Sequence, residues 1–426
     1  MMPCADADVL QHPGPSIVRI VEVERRFVLE RNGRPYWIKG AVGNAHLERL
    51  QAAGGNSIRA GARGLDRAQA LGLTVLVGLP FGKQRSGFDY ADRRRVEAQL
   101  ADIRAIVERH RNHPAVLMWA LGNELEIHTT REQRVALWKA LDEAARMIHG
   151  LDPNHPVITP IGCDFIFQSI LPELDAHCPN LDAIGLNAYN DMLRLPEEVA
   201  RQGWKRPYVV TEFGPRGHWQ VPKTAWGMPI EDTSTEKAAF YRRAYRHAVA
   251  GRPQCLGSYT FHWSQHHEKT HTWYGIFLPD GTPTEAVDAM TELWTGKPPA
   301  DRCPIIGVGK VRLLPSGTGN GEPGIFDPGM EIRCEVDASD PEGMPLRIEW
   351  DLRRDVADNP NVGGDREEPV EPIPESILRS DGHSAIVKLP PEPGYFRLFV
   401  YVRDPAGNGA TANVPLKTRA HAPAPR

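Results

Sequence analysis

Short apolar runs that end abruptly in polar residues alternate with amphipathic stretches over most of this chain, from about Tyr36 to Leu293. Eight such runs predict strands: Trp37–Gly43, Asn56–Ala62, Thr74–Phe81, Val116–Glu124, Pro156–Gly162, Ala183–Asn190, Tyr208–Gly214 and Leu256–Trp263. Between several of them, apolar residues at three-to-four spacing predict helices, as in Arg93–Arg109 and Arg131–His149. This alternation predicts an α/β fold, the (β/α)8 TIM barrel. A doubly wound open sheet would need a glycine-rich phosphate turn after an early strand, and no GxGxxG follows one.

The segments that flank the predicted barrel have a different pattern. Ile17–Arg31, followed by Asn32-Gly33, predicts a β-hairpin that forms either a lid across the bottom of the barrel or a remnant of an N-terminal strand layer. After Trp294 the helical periodicity stops, and short strands separated by Pro-, Gly- and Asp-rich turns predict a small β-sandwich. The predicted strands are Val311–Leu314, Met330–Ala338, Leu346–Leu352, Ser384–Leu389 and Tyr395–Arg403. The acidic, proline-rich insert Asp355–Pro374 predicts a mobile loop.

These patterns divide the chain into four predicted parts. An N-terminal segment with the hairpin covers residues 1–35, and the barrel covers 36–295. A short linker at 296–301 leads to an immunoglobulin-like sandwich at 302–426. A chain of 426 residues is long enough for one large enzyme domain and a smaller module.

Composition and charge narrow the class of partner. A net charge of −4 argues against nucleic acid or an anionic membrane as the main partner. No apolar run approaches the roughly 20 residues of a membrane span, and the polar start Met1–Pro15 lacks the profile of a signal peptide. The protein is therefore either cytoplasmic or was exported with a leader that this sequence does not contain. The oligomeric state has no signal in the sequence.

The six cysteines are scattered and form no CxxC pair, so no metal site is predicted from them. Buried thiols are the favoured interpretation, and a bridge between Cys163 and Cys178 is the alternative for an exported protein. His266, His267 and His271 lie in a polar loop without an accompanying ligand motif such as HExxH. Substrate contact or plain surface is the expectation for these histidines, and no cofactor is predicted.

Glu124 and Glu212 are the candidate catalytic residues, because each ends a predicted buried strand and the last side chains of such strands reach the mouth of a barrel. Most enzymes that cleave or transfer a glycosidic bond use a pair of carboxyl groups. Glu124 would protonate the leaving oxygen and later activate water, which requires a raised pKa. Glu212 would attack the anomeric carbon, and Asn123 would bind a neighbouring sugar hydroxyl. The ordinary alternative is that either glutamate is exposed or lies in a structural ion pair.

The motifs around these residues resemble those of a known family. His113-Pro114 with Trp119–Glu124 (HP…WALGNE), Thr211–Gly214 (TEFG) and Asn32–Gly40 (NGRPYWIKG) are similar to the retaining β-glycosidases of the four/seven clan, closest to glycoside hydrolase family 2. The resemblance covers about residues 36–295. It implies that the first glutamate is the acid/base and the second the nucleophile, with the two carboxyl groups about 5–5.5 Å apart.

The resemblance also implies supporting residues around the glutamates. Arg59 would keep the carboxylate of Glu212 ionised, Tyr189 would donate a hydrogen bond to it, and Trp263 would form the floor on which the sugar stacks. A structural ion pair for Arg59, rim packing for Tyr189 and a core position for Trp263 are the alternatives. Asn187 lies two residues before Tyr189 on the same face and is expected to point inward.

Loop residues complete the set of candidates. His46 is a possible substitute for a sugar-binding histidine, and Trp219 and Trp273 either build further sugar subsites or hold their loops together. Relative to the family it resembles, the chain lacks the longer substrate loop after the first strand and a tryptophan shortly after Tyr189. These departures favour an open groove for a β-linked glucan-like oligo- or polysaccharide, in which transglycosylation would compete with hydrolysis. The C-terminal part resembles polycystic-kidney-disease or immunoglobulin-like modules on Asp337–Trp350 and Gly394–Gly407, which favours a periplasmic or secreted protein. A non-catalytic carbohydrate-binding barrel is the hypothesis from another class.

Overall fold

The computed structural model describes residues 14–162, 169–314, 324–355, 367 and 369–420. The chain divides into two compact units. The first contains Met1–Gly214 and Arg243–Trp263, and the second contains Pro215–Arg242 and Ser264–Arg426.

A closed barrel of eight parallel strands forms the first unit. Its strands are β4 (Ile38–Val42), β5 (Ser57–Ala60), β6 (Thr74–Leu79), β7 (Val116–Leu121), β8 (Val157–Ile161), β9 (Ala183–Asn187), β10 (Tyr208–Phe213) and β11 (Cys255–Thr260). They pair in sequence order, and β11 closes the cylinder against β4. The predicted TIM barrel is confirmed. Each strand stops one to three residues before its predicted end, because the last residues at the mouth leave the hydrogen-bonded ladder.

The helices of the first unit follow the predicted apolar periodicity. They are α1 (Leu47–Ala52), α2 (Leu65–Ala70), α3 (Arg93–His110), α4 (Arg131–Leu151), α5 (Ile170–His177) and α6 (Leu195–Arg201), while α7 (Ser234–Ala248) belongs partly to each unit. Helix α3 begins where the Asp92 carboxylate accepts hydrogen bonds from two backbone N–H groups. Helix α4 begins at a capping box formed by Thr130 and Gln133. Both helices agree with the sequence-based bounds within two residues.

An N-terminal meander covers the N-terminal ends of the barrel strands. It consists of β1 (Val18–Val23), β2 (Arg26–Arg31) and β3 (Arg34–Pro35). The predicted Asn32-Gly33 turn is confirmed, but it joins β2 to the short β3, and the segment Ile17–Arg31 contains a further turn that was not predicted. Glu24 and Arg25, with φ of 50° and 63°, form the turn between β1 and β2, whereas Asn32-Gly33 connects β2 to the short β3.

Two observations place this meander at the bottom of the barrel, as the lid interpretation predicts. Val18 and Leu29 belong to the same apolar cluster as the barrel residues Ile38 and Leu117. The Val18 N–H donates to the carbonyl of Asn154, which lies three residues before β8. The hydrogen bond therefore lies at the N-terminal end of β8, opposite the C-terminal rim of the barrel.

The second unit contains helix α8 (Glu285–Thr295) and two four-stranded sheets. Its strands are β12 (Ile305–Leu314), β13 (Ile325–Phe326), β14 (Glu331–Ser339), β15 (Arg347–Arg354), β16 (Ile377–Ser380), β17 (Ser384–Lys388), β18 (Gly394–Arg403) and β19 (Gly409–Thr418). The sheet orders are β12-β14-β17-β16 and β13-β19-β18-β15. One apolar core joins residues of both sheets, including Val336, Trp350 and Leu398, so the sandwich is confirmed.

Three strands of the sandwich were not predicted. Strands β13 and β16 are too short to give a pattern. In β19 the apolar residues do not alternate cleanly, because Gly409–Asn413 is a run of small and polar residues and Pro415 follows it. Most of the predicted loop Asp355–Pro374 lies outside the described residues.

Cys178, Cys255, Cys303 and Cys334 are buried free thiols, whereas Cys4 and Cys163 lie outside the described residues. The free thiol of Cys178 contradicts the alternative of a bridge between Cys163 and Cys178. In the described part of the chain, no helix is both long and apolar enough to cross a membrane.

Candidate active site

The C-terminal ends of four barrel strands bring most of the candidate residues together. Arg59 lies on β5, Asn123 and Glu124 follow β7, Asn187 ends β9, and Glu212 lies on β10. Tyr189 follows β9 by two residues. All eight strands are parallel, so these positions share one rim of the barrel.

Two donors hold the carboxylate of Glu212 from different sides. Nη1 of Arg59 donates to its Oε1 over 2.7 Å, and the hydroxyl of Tyr189 donates to its Oε2 over 3.0 Å. The side chains of both Arg59 and Glu212 are only 10% exposed. Charge-assisted hydrogen bonds of this kind fix the orientation of the carboxyl group.

Arg59 also organises the neighbouring strand ends. Its Nη2 donates to Oδ1 of Asn123 over 2.6 Å, and its Nη1 donates to the backbone carbonyl of Thr211 over 3.1 Å. Since a guanidinium can only donate, the oxygen of the Asn123 amide must face it. The same oxygen accepts from Nδ2 of Asn187 over 3.0 Å.

Glu124 has a different environment. Its Oε1 accepts from Nδ2 of Asn187 over 2.9 Å, and the first cause of its raised pKa is desolvation by the surrounding protein, followed by the nearby charge of Glu212. Asn187, Arg85 and Arg59 act against this increase, and the pKa rises to about 7. A carboxyl group with this pKa exchanges its proton close to neutral pH.

The backbone around Glu124 explains how the side chain turns into the site. Gly122 and Glu124 have φ of 63° and 50°, so the chain leaves β7 through left-handed conformations. The Glu124 carbonyl accepts a hydrogen bond from Arg85, in the loop after β6. Gly162, just after β8, borders this side chain, and a Cβ there would make an ordinary van der Waals contact of 3.4 Å with Cδ of Glu124. These contacts fix the position of the Glu124 side chain.

The side chain of Trp263 contacts the backbone of His46. Trp263 is 1% exposed, and its indole N–H donates to the carbonyl of His46 over 3.2 Å. Burial, and then the charge of Arg49, lower the pKa of the His46 imidazole. The sugar-binding roles of both residues stay predictions, and the burial of Trp263 agrees with the alternative of a core position.

The loop aromatics of the second unit differ from each other. Trp273 is 1% exposed, and its indole N–H donates to the carbonyl of Arg216, so it packs within its loop. Trp219 is 48% exposed, and its ring lies over Gly217, where a Cβ would be 2.7 Å from the indole. Of the two, only Trp219 presents a large apolar surface.

The three histidines of the polar loop make separate contacts in the second unit. Nε2 of His271 lies 2.7 Å from the hydroxyl of Tyr401, and Nε2 of His266 lies 3.4 Å from Glu268. Nε2 of His267 lies 4.0 Å from Glu367. Over the described ranges, no group of three or more His, Cys, Asp or Glu side chains is arranged to hold a metal ion.

Two residues of the site were missed by sequence reasoning. Arg85 has no strand-end position, so its contact with Glu124 had no signal in the sequence. Thr211 precedes Glu212 inside a quoted motif, and its hydroxyl donates to Oδ1 of Asn187 over 2.8 Å. The TEFG motif drew attention to Thr211, but a motif does not predict that its hydroxyl contacts Asn187.

Comparison with known proteins gives one family and several relatives. Residues 72–224 match the model of the glycosyl hydrolases family 2 TIM barrel domain. The β-galactosidase of Vibrio cholerae is 24% identical over 221 residues, which are 46% of this chain and 19% of that protein. The β-glucuronidase of Paenibacillus borealis is 30% identical over 122 residues, which are 26% of this chain and 18% of that protein.

Two solved structures have a similar fold. Bacteroides uniformis β-glucuronidase 2, covalently bound to cyclophellitol-6-carboxylate aziridine, has a TM-score of 0.51 at 12% identity, covering 94% of this chain and 48% of that one. The family 2 β-galacturonidase from Eisenbergiella tayi, bound to galacturonate, has a TM-score of 0.50 at 18% identity, covering 66% of this chain and 54% of that one. The chain thus spans about half the length of these structures and about a fifth of the two sequence relatives.

The fold and the site define a class, the (β/α)8 barrels that carry a glutamate at the ends of the fourth and seventh strands. Within that class, residues 72–224 are similar to the glycosyl hydrolases family 2 TIM barrel domain. The resemblance inferred from the motifs is therefore confirmed.

Proposed function

We propose that this protein is a retaining β-glycosidase that works by double displacement, with Glu212 as nucleophile and Glu124 as acid/base. The observation that carries the proposal is the unequal environment of the two carboxyl groups at one barrel rim. Arg59 and Tyr189 donate to Glu212, which suits a carboxylate that must attack carbon. Glu124 has a pKa of about 7, which suits a group that must give up a proton and take it back.

The first half of the reaction forms a covalent glycosyl-enzyme. The Glu212 carboxylate attacks the anomeric carbon, while Glu124 transfers its proton to the glycosidic oxygen, so the leaving group departs as an alcohol. This step neutralises Glu212. The repulsion that helps to keep Glu124 protonated then disappears, and its pKa falls.

The second half releases the sugar. Glu124, now ionised, takes a proton from water as the water oxygen attacks the anomeric carbon, and Glu212 leaves as a carboxylate. Two displacements return the anomeric carbon to its original configuration. We expect the two carboxyl groups to be about 5–5.5 Å apart, as this retaining mechanism needs.

The substrate is proposed at a coarser level than the mechanism. The short loop after β4 and the absence of a tryptophan shortly after Tyr189 favour an open groove and a β-linked glucan-like chain, with transfer to a second sugar competing with hydrolysis. The names of the relatives add β-galactosides, β-glucuronides and β-galacturonides to the substrates to be tested. A non-catalytic carbohydrate-binding barrel is a weaker proposal, since binding alone does not require Glu212 and Glu124 to be set up so differently.

The test combines covalent trapping with product analysis. The protein is incubated with β-configured cyclophellitol aziridines, and intact mass spectrometry measures the adduct. We expect labelling of the wild type and of Glu97→Gln, a control at an exposed carboxylate, but none of Glu212→Gln. Turnover of Glu212→Gln should fall by about 10⁵- to 10⁶-fold, the scale of losing a covalent nucleophile.

The same samples decide the substrate and the fate of the intermediate. Chromogenic β-glucosides, β-galactosides, β-glucuronides and β-galacturonides give the sugar, and NMR of the first-formed anomer shows retention. Mass spectrometry after incubation with β-glucan oligosaccharides detects transfer as products longer than the substrate. Wild-type activity of Glu212→Gln on every active substrate would overturn the mechanism, and binding without any product would support the non-catalytic alternative.

A further inference from the structure

Asn187, at the end of β9, donates a hydrogen bond to the carboxyl group of Glu124. The Nδ2 group of Asn187 donates both to Glu124 and to Asn123. Its Oδ1 points the other way and accepts from the hydroxyl of Thr211 over 2.8 Å. Asn187 and Thr211 are both 0% exposed, so solvent does not replace these partners.

The direction of the Asn187 amide matters for the chemistry of Glu124. The two ends of an amide have opposite hydrogen-bonding character, and only the NH2 end can donate to a carboxylate. If the amide rotated by half a turn, its oxygen would face both the Oδ1 of Asn123 and the Oε1 of Glu124. The Asn187 oxygen would then face two other acceptor oxygens without a hydrogen between them, and such unsatisfied contacts cost free energy in a buried site.

The site contains a one-way chain of donors that sets this direction. Arg59 can only donate, so it fixes the oxygen of Asn123 toward itself and toward Asn187. Asn187 must therefore present its NH2 group there, and its oxygen needs a donor on the far side. The hydroxyl of Thr211 is that donor.

Gly185 shows that the position of Thr211 is built into the barrel. Gly185 lies on β9 two residues before Asn187, and therefore on the same face of the strand. A Cβ at Gly185 would lie 2.7 Å from both Oγ1 and Cγ2 of Thr211. Because glycine leaves this space empty, the Thr211 side chain fits between β9 and β10, next to the amide of Asn187.

We propose that Thr211 is a positioning residue for the acid/base step, whose hydroxyl keeps the NH2 group of Asn187 directed at the carboxyl group of Glu124. This inference rests on the proposed function and adds a residue to it. By donating to the amide oxygen, Thr211 also polarises the amide and makes its NH2 group a stronger donor. The hydrogen bond is needed most when Glu124 is ionised and acts as the base toward water.

The experiment compares Thr211→Val, which has nearly the same shape without the hydroxyl, with Thr211→Ser, which keeps it. Loss of one buried hydrogen bond costs roughly 1 kcal/mol, so we expect kcat to fall by about 5-fold in Thr211→Val when hydrolysis of the glycosyl-enzyme limits turnover. The alkaline limb of its pH–rate profile should move to higher pH, because the donor that favours ionised Glu124 is weakened. Thr211→Ser should restore both.

The matched control is Thr159→Val. Thr159 is another buried threonine on a barrel strand, but its hydroxyl donates to the backbone carbonyl of Leu121 over 2.8 Å. Thr159→Val should lower the unfolding temperature about as much as Thr211→Val and leave the alkaline limb unchanged. If Thr211→Val does not fold, Thr211→Ala removes the same hydroxyl and takes its place in the comparison.

The outcomes separate this inference from the proposed function. If wild type shows Glu212-dependent turnover but Thr211→Val keeps the wild-type pH profile and kcat, the positioning role is wrong and the mechanism stands. If the alkaline limb of the pH–rate profile moves equally in Thr159→Val, the positioning role of Thr211 is also wrong, since the shift would then be a general effect of strand packing. If Glu212→Gln is as active as wild type, the proposed function itself fails, whatever Thr211→Val does.

Discussion

Two glutamates, one in each unit, are both desolvated by the surrounding protein and yet differ in ionisation. At the rim of the barrel, Glu124 has a pKa raised to about 7, with desolvation as the first cause and the charge of Glu212 as the second. In the second unit, desolvation also acts to raise the pKa of Glu231, but the charge of Lys237 and several donors outweigh it and the pKa is lowered. Burial alone therefore does not decide whether a carboxyl group ionises.

The partners of Glu231 explain its lowered pKa. Nζ of Lys237 lies 2.5 Å from Oε1 of Glu231, and the hydroxyl of Thr272 donates to the same oxygen. Oε2 accepts from Thr270 over 2.7 Å and from Nδ2 of Asn413 over 2.7 Å. Both oxygens are satisfied and the charge is neutralised, so this glutamate stays ionised and serves structure.

The two glutamates differ in the number and charge of their partners. Glu124 has one amide donor, a like charge nearby and only weaker help from Arg85 and Arg59. Its two protonation states are therefore close in free energy, which acid/base catalysis needs. Glu231 belongs to a network that joins the loop after β10, the loop after β11 and strand β19, and a change of its charge would disrupt all three.

Removing the carboxyl group of Glu124 should give the largest effect of the changes considered, a loss of kcat/KM. Glu124→Ala should reduce kcat/KM by about 10²- to 10⁴-fold on substrates with poor leaving groups, because these need a general acid. Substrates with activated phenolate leaving groups should be spared in the first step. Steady-state kinetics on a leaving-group series measures the difference, and equal losses across the series would contradict the assignment.

Breaking the ion pair of Glu231 should destabilise the fold. Lys237→Met leaves a buried carboxylate without its counter-charge, which costs roughly 3–5 kcal/mol. Urea unfolding measures the loss, with Lys205→Met, at an exposed lysine, as the control. Similar unfolding of the two variants would show that the pair contributes nothing.

The pH dependence of that stability follows from the sign of the shift. Because the folded-state pKa of Glu231 lies below its ordinary value of 4.5, its contribution is present above about pH 4.5 and is lost as the pH falls through the folded-state pKa. In Lys237→Met the donor network loses its positive charge and the carboxyl group protonates at higher pH. The variant should therefore lose less stability than the wild type on acidification.

The charge of Arg85 should give the smallest effect. Activity of the wild type should fall as the pH rises through about 7, because Glu124 then loses the proton that it must donate. Arg85 lowers the pKa of Glu124, so Arg85→Met should move this alkaline limb to higher pH. Arg104→Met, at a half-exposed arginine on α3, is the control, and a limb that moves to lower pH in Arg85→Met would contradict the electrostatic argument.

Much of the barrel could be predicted because its signals are local. Each strand is a short apolar run, and each long helix has its own apolar face and cap, as in α3 and α4. The turn Glu24-Arg25 escaped prediction because its residues are not typical of a primed turn, whereas Asn32-Gly33 is typical and lies one strand later. Strand β19 escaped because its small residues pack without a period-two pattern.

The sequence by itself determined which residues reach the rim, since the C-terminal ends of parallel strands meet at one edge and Glu124 and Glu212 both end strands. Only the tertiary structure decided the opposite pKa shifts of Glu124 and Glu231. The Arg59–Glu212 contact joins residues 153 positions apart, and the Asn413–Glu231 contact joins residues 182 apart. A pKa depends on charges and donors within a few ångströms, and no local pattern in the chain states which distant residues will occupy that space.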